Sequence, residues 1–343
     1  MTASQTRFSP SRVWIFLALV FPISWLLWVP VMLDKTNPVF LNLSGGPALV
    51  AMWVAGSRNG RAWNLRRLLV FVAVIPLCWM IVIVNVALNS NPPAPLQFNP
   101  GLLLPSAISA WIVSGACSPD TGIRTLFRGF PSPESNGADK ESAGWRWPAI
   151  ALLIIPVLLL ATAAIGRAIG LPVANPASGL TASQLAGLAA TRFLHYLMFT
   201  AVFEEPGWRG FLLPRLQRTA TGVGPDAHKR INSPPRRAAL CAVSEKRRFS
   251  PLIASVLVRQ RVVVLLIFSV LITWLYNHSP HGLLSAVIFH GATGSFLYVL
   301  PYSPPIIVPL AVALVACAIV SGRMWRKHPQ AQATRLTHAA IPG

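Results

Sequence analysis

Long apolar runs, separated by short polar and basic segments, recur along the whole chain. They fall near residues 13–33, 40–56, 68–88, 101–117, 148–166, 186–203, 262–277, 281–300 and 304–321. A bilayer core needs roughly 20 apolar residues per helical span. Only 11% of the residues are charged, less than half the fraction that is usual in a soluble domain. The sequence therefore predicts an all-α, polytopic transmembrane helical bundle of eight or nine spans, surrounded by a lipid bilayer.

The net charge of +20 is concentrated in the segments between the apolar runs, as in 57–67, which holds four arginines. Excess Lys and Arg marks cytoplasmic loops. The chain is therefore predicted to be a multi-pass protein of a cell (inner or cytoplasmic) membrane. Basic and aromatic residues are not interleaved as in nucleic-acid-binding segments, so no nucleic acid is expected as a partner.

The same rule gives an orientation. With the N-terminus inside, segments 57–67, 118–146 and 208–250 all fall inside, as their basic or mixed charge requires. Counting three further spans then places the basic tail 322–343 outside, against the rule. One extra or one missing helix late in the chain would remove the conflict.

Three regions are predicted. Residues 1–185 form N-terminal transmembrane helices, residues 186–321 form a core, and residues 322–343 form a basic tail. The core is interrupted by a basic cytoplasmic loop, 219–248, in which seven Lys or Arg face two acids and no apolar periodicity occurs. Such a segment is typical of a disordered loop or an insertion.

Two adjacent glutamates, Glu204 and Glu205, lie at the inner end of an apolar run, in the sequence EEPGWRG. Ionisable residues at membrane depth are costly, and a cluster of them indicates a functional site. Arg209 follows Glu205 by four residues, a spacing at which side chains meet on one helix face. A lone glutamate here would more simply mark the headgroup level. The pair with its arginine favours a carboxylate that takes a proton from water.

Two histidines are further candidates. His290 lies in the apolar stretch 282–300, where a single histidine is more often a packed residue than a ligand. Together with the glutamates it becomes a candidate metal ligand or a group that polarises a carbonyl. His278 lies in the sequence NHSPH between two spans, which is most simply a polar turn, although its place near a membrane surface leaves a metal-ligand role open.

The stretch EEPGWRGFLLPRLQ carries the pattern EExxxR and resembles the first signature of the CPBP intramembrane proteases. This family includes the CAAX prenyl endopeptidases and bacteriocin-processing relatives. Residues 272–290 resemble the family's late region, where a Trp-Leu-Tyr-Asn turn precedes the final histidine helix. The specific match covers roughly residues 195–296. Gly45–Pro47 and 122–129 show weaker similarity.

The resemblance implies an intramembrane endopeptidase in which Glu204 activates water against a peptide bond near the membrane. Glu205 and Arg209 would hold this base in position, and His290 would be the histidine of the last motif. The partner would be a peptide or protein substrate at the membrane. Two cofactor alternatives stay open: a divalent metal such as zinc, with His290 and His278 as candidate ligands, or a metal-free mechanism.

Two departures from the family pattern bear on activity. The Asn or Asp expected four residues after His290 is replaced by Gly294, which has no side chain. Relatives also have a helix that continues from a stretch like 249–258 to a Trp/Phe-x-x-x-His motif, and here that stretch ends at Arg259. Trp274-x-x-x-His278 fits the pattern but aligns with the later turn. Because such constellations act as a unit, their incompleteness predicts lost activity.

Three hypotheses follow. The chain is an active endopeptidase that cleaves peptides near the membrane, such as prenylated tails or leader peptides. Alternatively, it is a non-catalytic relative that binds such peptides, for example in bacteriocin self-immunity. In the third, the unusual segment 219–248 and the missing motif reflect a lost reading frame.

Overall fold

The computed structural model describes residues 10–33, 45–56, 62–89, 95–127, 144–220 and 266–322. Nine apolar helices occur in these residues, and each coincides with one of the predicted apolar runs. They are α1 (Pro10–Leu33), α2 (Gly46–Ala55), α3 (Leu65–Asn89), α4 (Leu103–Ser114), α5 (Arg146–Ala168), α6 (Ala182–Gln217), α7 (Leu266–His278), α8 (Gly282–Phe296) and α9 (Pro304–Ser321).

Six of the described helices are long and apolar enough to cross a membrane by length and composition, namely α1, α3, α4 with its flanking turns, α5, α6 and α9. Helices α2, α7 and α8 are shorter. Large apolar side chains, including Trp14 and Leu33, are exposed on the outer surface. Such a surface suits lipid rather than water. The predicted polytopic helical bundle is confirmed.

Helix α6 changes its winding around the glutamate pair. It begins with a capping box in which Thr181 and Gln184 bond to each other's backbone. Two wider, π-helical stretches, Leu197–Ala201 and Pro206–Leu212, flank the short α-helical piece that ends at Glu205. Pro206 has no N–H to donate, which removes one ladder hydrogen bond at this point. Single π turns inside α-helices are frequent at functional sites.

Helix α8 lies between the two apolar clusters of the described core. Its Leu283 and Val287 pack with residues of α1, α2, α3 and α6. Its Ala286 and Phe289 pack with residues of α5, α7 and α9. His290 is therefore carried by a helix whose position is fixed from both sides.

One end of the bundle carries five arginines, at positions 66, 67, 124, 146 and 215, and we call it the basic end. It comprises residues 55–56, 62–67, 115–127, 144–147, 213–217, 277–282 and 322. The Ser118 hydroxyl donates to the Ala62 carbonyl at 3.2 Å, and the Trp147 ring lies 6.0 Å from the His278 ring. A Cβ at Gly322 would lie 2.9 Å from the His278 ring, so the end of α9 also belongs here.

The direction of α7 corrects the orientation that the sequence predicted for the last three helices. Two hydrogen bonds link α6 to α7 at positions eight residues apart on each helix, Arg209 to Ser269 and Gln217 to Asn277. The two helices are therefore parallel, and α7 ends at the basic end rather than starting there. The sequence-based count of spans assumed the opposite direction, and this error moved the tail to the other side. In the structure Gly322 lies beside the basic loops.

The predicted turn between α7 and α8 is tight. A Cβ at Gly282 would lie 2.4 Å from the Tyr276 carbonyl oxygen, so only glycine fits. The predicted loop 219–248 beyond residue 220, the stretch 249–258 and most of the tail lie outside the described residues. The predicted limits of the three regions remain predictions.

Candidate active site

A cavity of about 590 Å³ lies between α6, α7 and α8. Its lining is mostly apolar, including Leu212, Leu216 and Ile272. The charged or ionisable residues that the sequence singled out lie in its wall: Glu204, Glu205, Arg209 and His290. A mostly apolar cleft with a few converging polar groups is typical of a ligand or active site.

Glu205 joins the three helices that form the cavity. Its side chain is fully buried, and its Oε1 accepts from Arg209 Nη1 at 3.1 Å. The same oxygen lies 2.8 Å from His290 Nδ1, on α8. Arg209 Nη2 in turn donates to the Ser269 hydroxyl of α7 at 3.5 Å. One carboxylate oxygen thus fixes the arginine one turn along α6 and the histidine of the facing helix.

Glu204 is held differently from its neighbour. It lines the cavity and is partly buried, and no hydrogen bond or ion pair holds its carboxylate within the described part of the chain. The second oxygen of Glu205, Oε2, is buried and also lacks a described partner. The site therefore combines one fixed carboxylate with one that is available to a ligand.

Two glycines of the EEPGWRG sequence bring α6 against its neighbours. A Cβ at Gly207 would lie 2.5 Å from the carbonyl carbon and oxygen of Pro47, and one at Gly210 would lie 2.1 Å from the Leu126 carbonyl oxygen. Real Cβ atoms do not approach so closely. The stretches that showed weaker family similarity, Gly45–Pro47 and 122–129, include these two contact points.

His278 is not part of the cavity wall. Its Nδ1 bonds to the Trp274 carbonyl oxygen at 2.8 Å, and its ring lies against Trp147 and Trp274 at the basic end. A catalytic zinc site usually has three protein ligands. No group of three or more His, Cys, Asp or Glu side chains able to hold a metal occurs among the described residues. No reaction step is therefore assigned to a metal, and the metal-ligand roles of His290 and His278 stay predictions.

Five further residues of the cavity wall carry hydroxyl groups and could not be singled out in the sequence: Tyr196, Thr200, Ser269, Thr273 and Thr293. Tyr196 and Thr200 precede Glu204 by eight and four residues, so helical spacing puts them on its face. This spacing is the feature of the sequence from which the two residues could have been predicted to lie near Glu204. Nothing in the local sequence of α7 points to Ser269, which meets Arg209 only in the folded chain.

The fold and the site define a class of protein: a membrane-type helical bundle with a glutamate pair, an arginine and a histidine around one cavity. Residues 186–296, about a third of the chain, match the family model described as type II CAAX prenyl endopeptidase, Rce1-like. This match supports the predicted family for residues 186–296, the part of the chain that holds the site. No curated protein and no solved structure matches the chain.

Proposed function

We propose that the chain is a glutamate-dependent endopeptidase that hydrolyses a peptide bond at the surface of, or within, a cell membrane. The observation that carries the proposal is the pairing of a fixed glutamate, Glu205, with an unfixed one, Glu204, in one cavity beside His290. A general base must be able to reach the water that it deprotonates. Glu204 has that freedom.

In the proposed reaction, Glu204 takes a proton from water while the water oxygen bonds to the carbonyl carbon. The carbonyl electron pair moves onto the oxygen, which becomes an oxyanion. When this pair returns, the C–N bond breaks, and the proton held by Glu204 passes to the departing amine. The products are one carboxylic acid and one amine. Arg209 and His290 hold Glu205 in place and keep its charge compensated.

The lining of the cavity indicates the kind of peptide that would bind. Leu212, Leu213, Leu216, Phe268 and Ile272 give the wall an apolar surface that reaches towards the basic end. Apolar side chains or a lipid group beside the scissile bond would be buried there, at roughly 25 cal/mol for each Å² removed from water. The substrate class is therefore a membrane-associated peptide with an apolar or lipid-modified segment.

The test is hydrolysis of a membrane-tethered peptide library by the purified chain in liposomes, followed by mass spectrometry. We expect cleavage by the wild type and a loss of at least about 100-fold in Glu204→Gln, because a general base contributes roughly 10²–10⁴-fold. Asp120→Asn is the matched control, since this other described acid caps the helix at Thr121 outside the cavity. Equal turnover by the wild type and Glu204→Gln would refute the proposal.

A second candidate function is peptide binding without hydrolysis, as in bacteriocin self-immunity. Gly294 favours it, because this position in the cavity wall provides no side chain to orient water or a carbonyl group. Here the wild type would bind library peptides without cleaving them, and Glu204→Gln would bind equally well. Binding can be measured by fluorescence anisotropy of labelled peptides in detergent.

A further inference from the structure

A very close contact in the cavity wall joins Gly294 of α8 to Tyr196 of α6. A Cβ at Gly294 would lie 2.3 Å from Tyr196 Cδ1 and 2.7 Å from its Cε1. The Tyr196 ring therefore occupies the space of a side chain at position 294, one helical turn beyond His290. Tyr196 and any residue larger than glycine at this position exclude one another as the helices stand.

Aromatic contacts hold the Tyr196 ring in place. It stacks on Tyr298, with ring centroids 6.4 Å apart and planes inclined by 11°. The Arg192 guanidinium lies 5.2 Å from the centre of the Tyr298 ring. The His195 ring meets Tyr196 edge-on at 5.8 Å. A ring packed on several sides loses little further freedom when it binds a ligand.

Several other hydroxyl groups in and beside the cavity are committed to protein partners. Thr293 Oγ1 donates to the Phe289 carbonyl at 2.9 Å, and Thr273 Oγ1 donates to the Ser269 carbonyl at 2.7 Å. Ser269 is engaged by Arg209. The phenol of Tyr196 belongs to the cavity wall, and its ring stacks on that of Tyr298. Tyr196 also lies on the α6 face that carries Glu204.

We propose that Tyr196 binds the substrate carbonyl: its phenol O–H donates a hydrogen bond to the carbonyl oxygen of the scissile peptide, from the part of the wall that Gly294 leaves free. This inference rests on the proposed function. When water attacks and the carbonyl pair moves onto the oxygen, the hydrogen bond strengthens, which lowers the barrier. Gly294 then leaves the space that the Tyr196 ring fills. The Tyr196 phenol supplies the hydrogen-bond donor that a side chain at position 294 would otherwise supply.

The test compares kcat and KM of Tyr196→Phe with those of the wild type, using the best tethered peptide from the library. Removing one oxyanion donor costs about 10²–10³ in kcat. We expect kcat to fall by about 100-fold, KM to change by less than about twofold, and the thermal midpoint to be unchanged. Tyr298→Phe is the matched control, because this tyrosine does not line the cavity and should keep kcat within about threefold.

Three outcomes are distinguishable. A kcat of Tyr196→Phe within about threefold of the wild type, while Glu204→Gln is inactive, would overturn the role of Tyr196 and leave the proposed function standing. A wild type without turnover, or a Glu204→Gln variant as active as the wild type, would overturn both. A loss of kcat in Tyr298→Phe equal to that in Tyr196→Phe would show that the effect does not depend on a hydroxyl group in the cavity wall and would also overturn the inference.

A second pair of variants tests the packing independently of turnover. Gly294→Ala should lower the thermal midpoint, because its Cβ would run into the Tyr196 ring. Adding Tyr196→Leu should recover the midpoint without recovering kcat. A Gly294→Ala variant with unchanged midpoint and kcat would overturn the exclusion between the two positions.

Discussion

Glu205 is the most constrained residue of the described site. Its carboxylate is fully buried and shares one oxygen between Arg209 and His290. Removing one partner of a buried ion pair is costly because the remaining charge is left uncompensated, and about 3–5 kcal/mol is usual. Glu204, next to it in sequence, has no such described partner. The two glutamates therefore differ in what they do for the fold.

Glu205→Gln is expected to destabilise the protein far more than Glu204→Gln. An amide at position 205 would carry no charge to compensate Arg209, so we expect a loss of about 3 kcal/mol in the free energy of unfolding. The same change at position 204 should lower the free energy of unfolding much less, because Glu204 makes no described ion pair that would be broken. Circular dichroism during thermal unfolding in detergent gives both midpoints. Equal midpoints for the two variants would contradict the assignment of Glu205 as the fixed carboxylate.

The sequence predicts part of this site and not the rest. The spacing of Glu205 and Arg209 predicts their contact because four residues make about one helical turn. His290 could be connected to them only through the family resemblance, since 85 residues separate it from Glu205. Tyr196 and Ser269 were not predicted because their roles depend on which helices become neighbours. Gly294 was interpreted as a departure from the family pattern, and the residue that it contacts could be found only in the folded chain.

At the scale of the helices, the glycines of α6 decide where the glutamates lie. Gly207 and Gly210 allow α6 to touch the backbones of Pro47 and Leu126. This contact lies within one turn of Arg209 and fixes the piece of helix that carries the site. The sequence shows these glycines, but not which backbones they meet. Gly187, earlier in the same helix, has nothing within 4 Å of a would-be Cβ.

Alanine should therefore lower the stability of the protein at positions 207 and 210 but not at position 187. Gly207→Ala and Gly210→Ala each force a methyl group into backbone, so we expect a loss of about 1–3 kcal/mol in the free energy of unfolding. Both should also reduce peptide cleavage, because α6 must move. Gly187→Ala should be neutral or raise stability by about 0.5–1 kcal/mol, as alanine favours the helix. Thermal midpoints and turnover of the three variants provide the measurement. Equal effects at 187 and 207 would contradict the proposed contact.

At the scale of the whole molecule, the nine apolar runs predicted the nine described helices because hydrophobicity is encoded locally. The direction of α7 was not predictable in this way, since it depends on packing against α6 through Arg209 and Gln217. The structure places Gly322 near His278, at the same end as residues 62 and 118. The positive-inside rule is then consistent with a basic tail on the cytoplasmic side.

Cysteine labelling in intact cells tests this arrangement. In a background without native cysteines, Thr121→Cys and Ser321→Cys should be labelled only after the membrane is permeabilised, because both lie at the basic end. Ser178→Cys, in the exposed segment between α5 and α6, should be labelled by an impermeant reagent added outside. Because the tail after Gly322 continues with two arginines, at 323 and 326, holding it outside would oppose the charge bias of the loops. External labelling of Ser321→Cys together with internal labelling of Thr121→Cys would show that α7 runs in the opposite direction. The α7 residues of the cavity wall would then not lie beside the two glutamates.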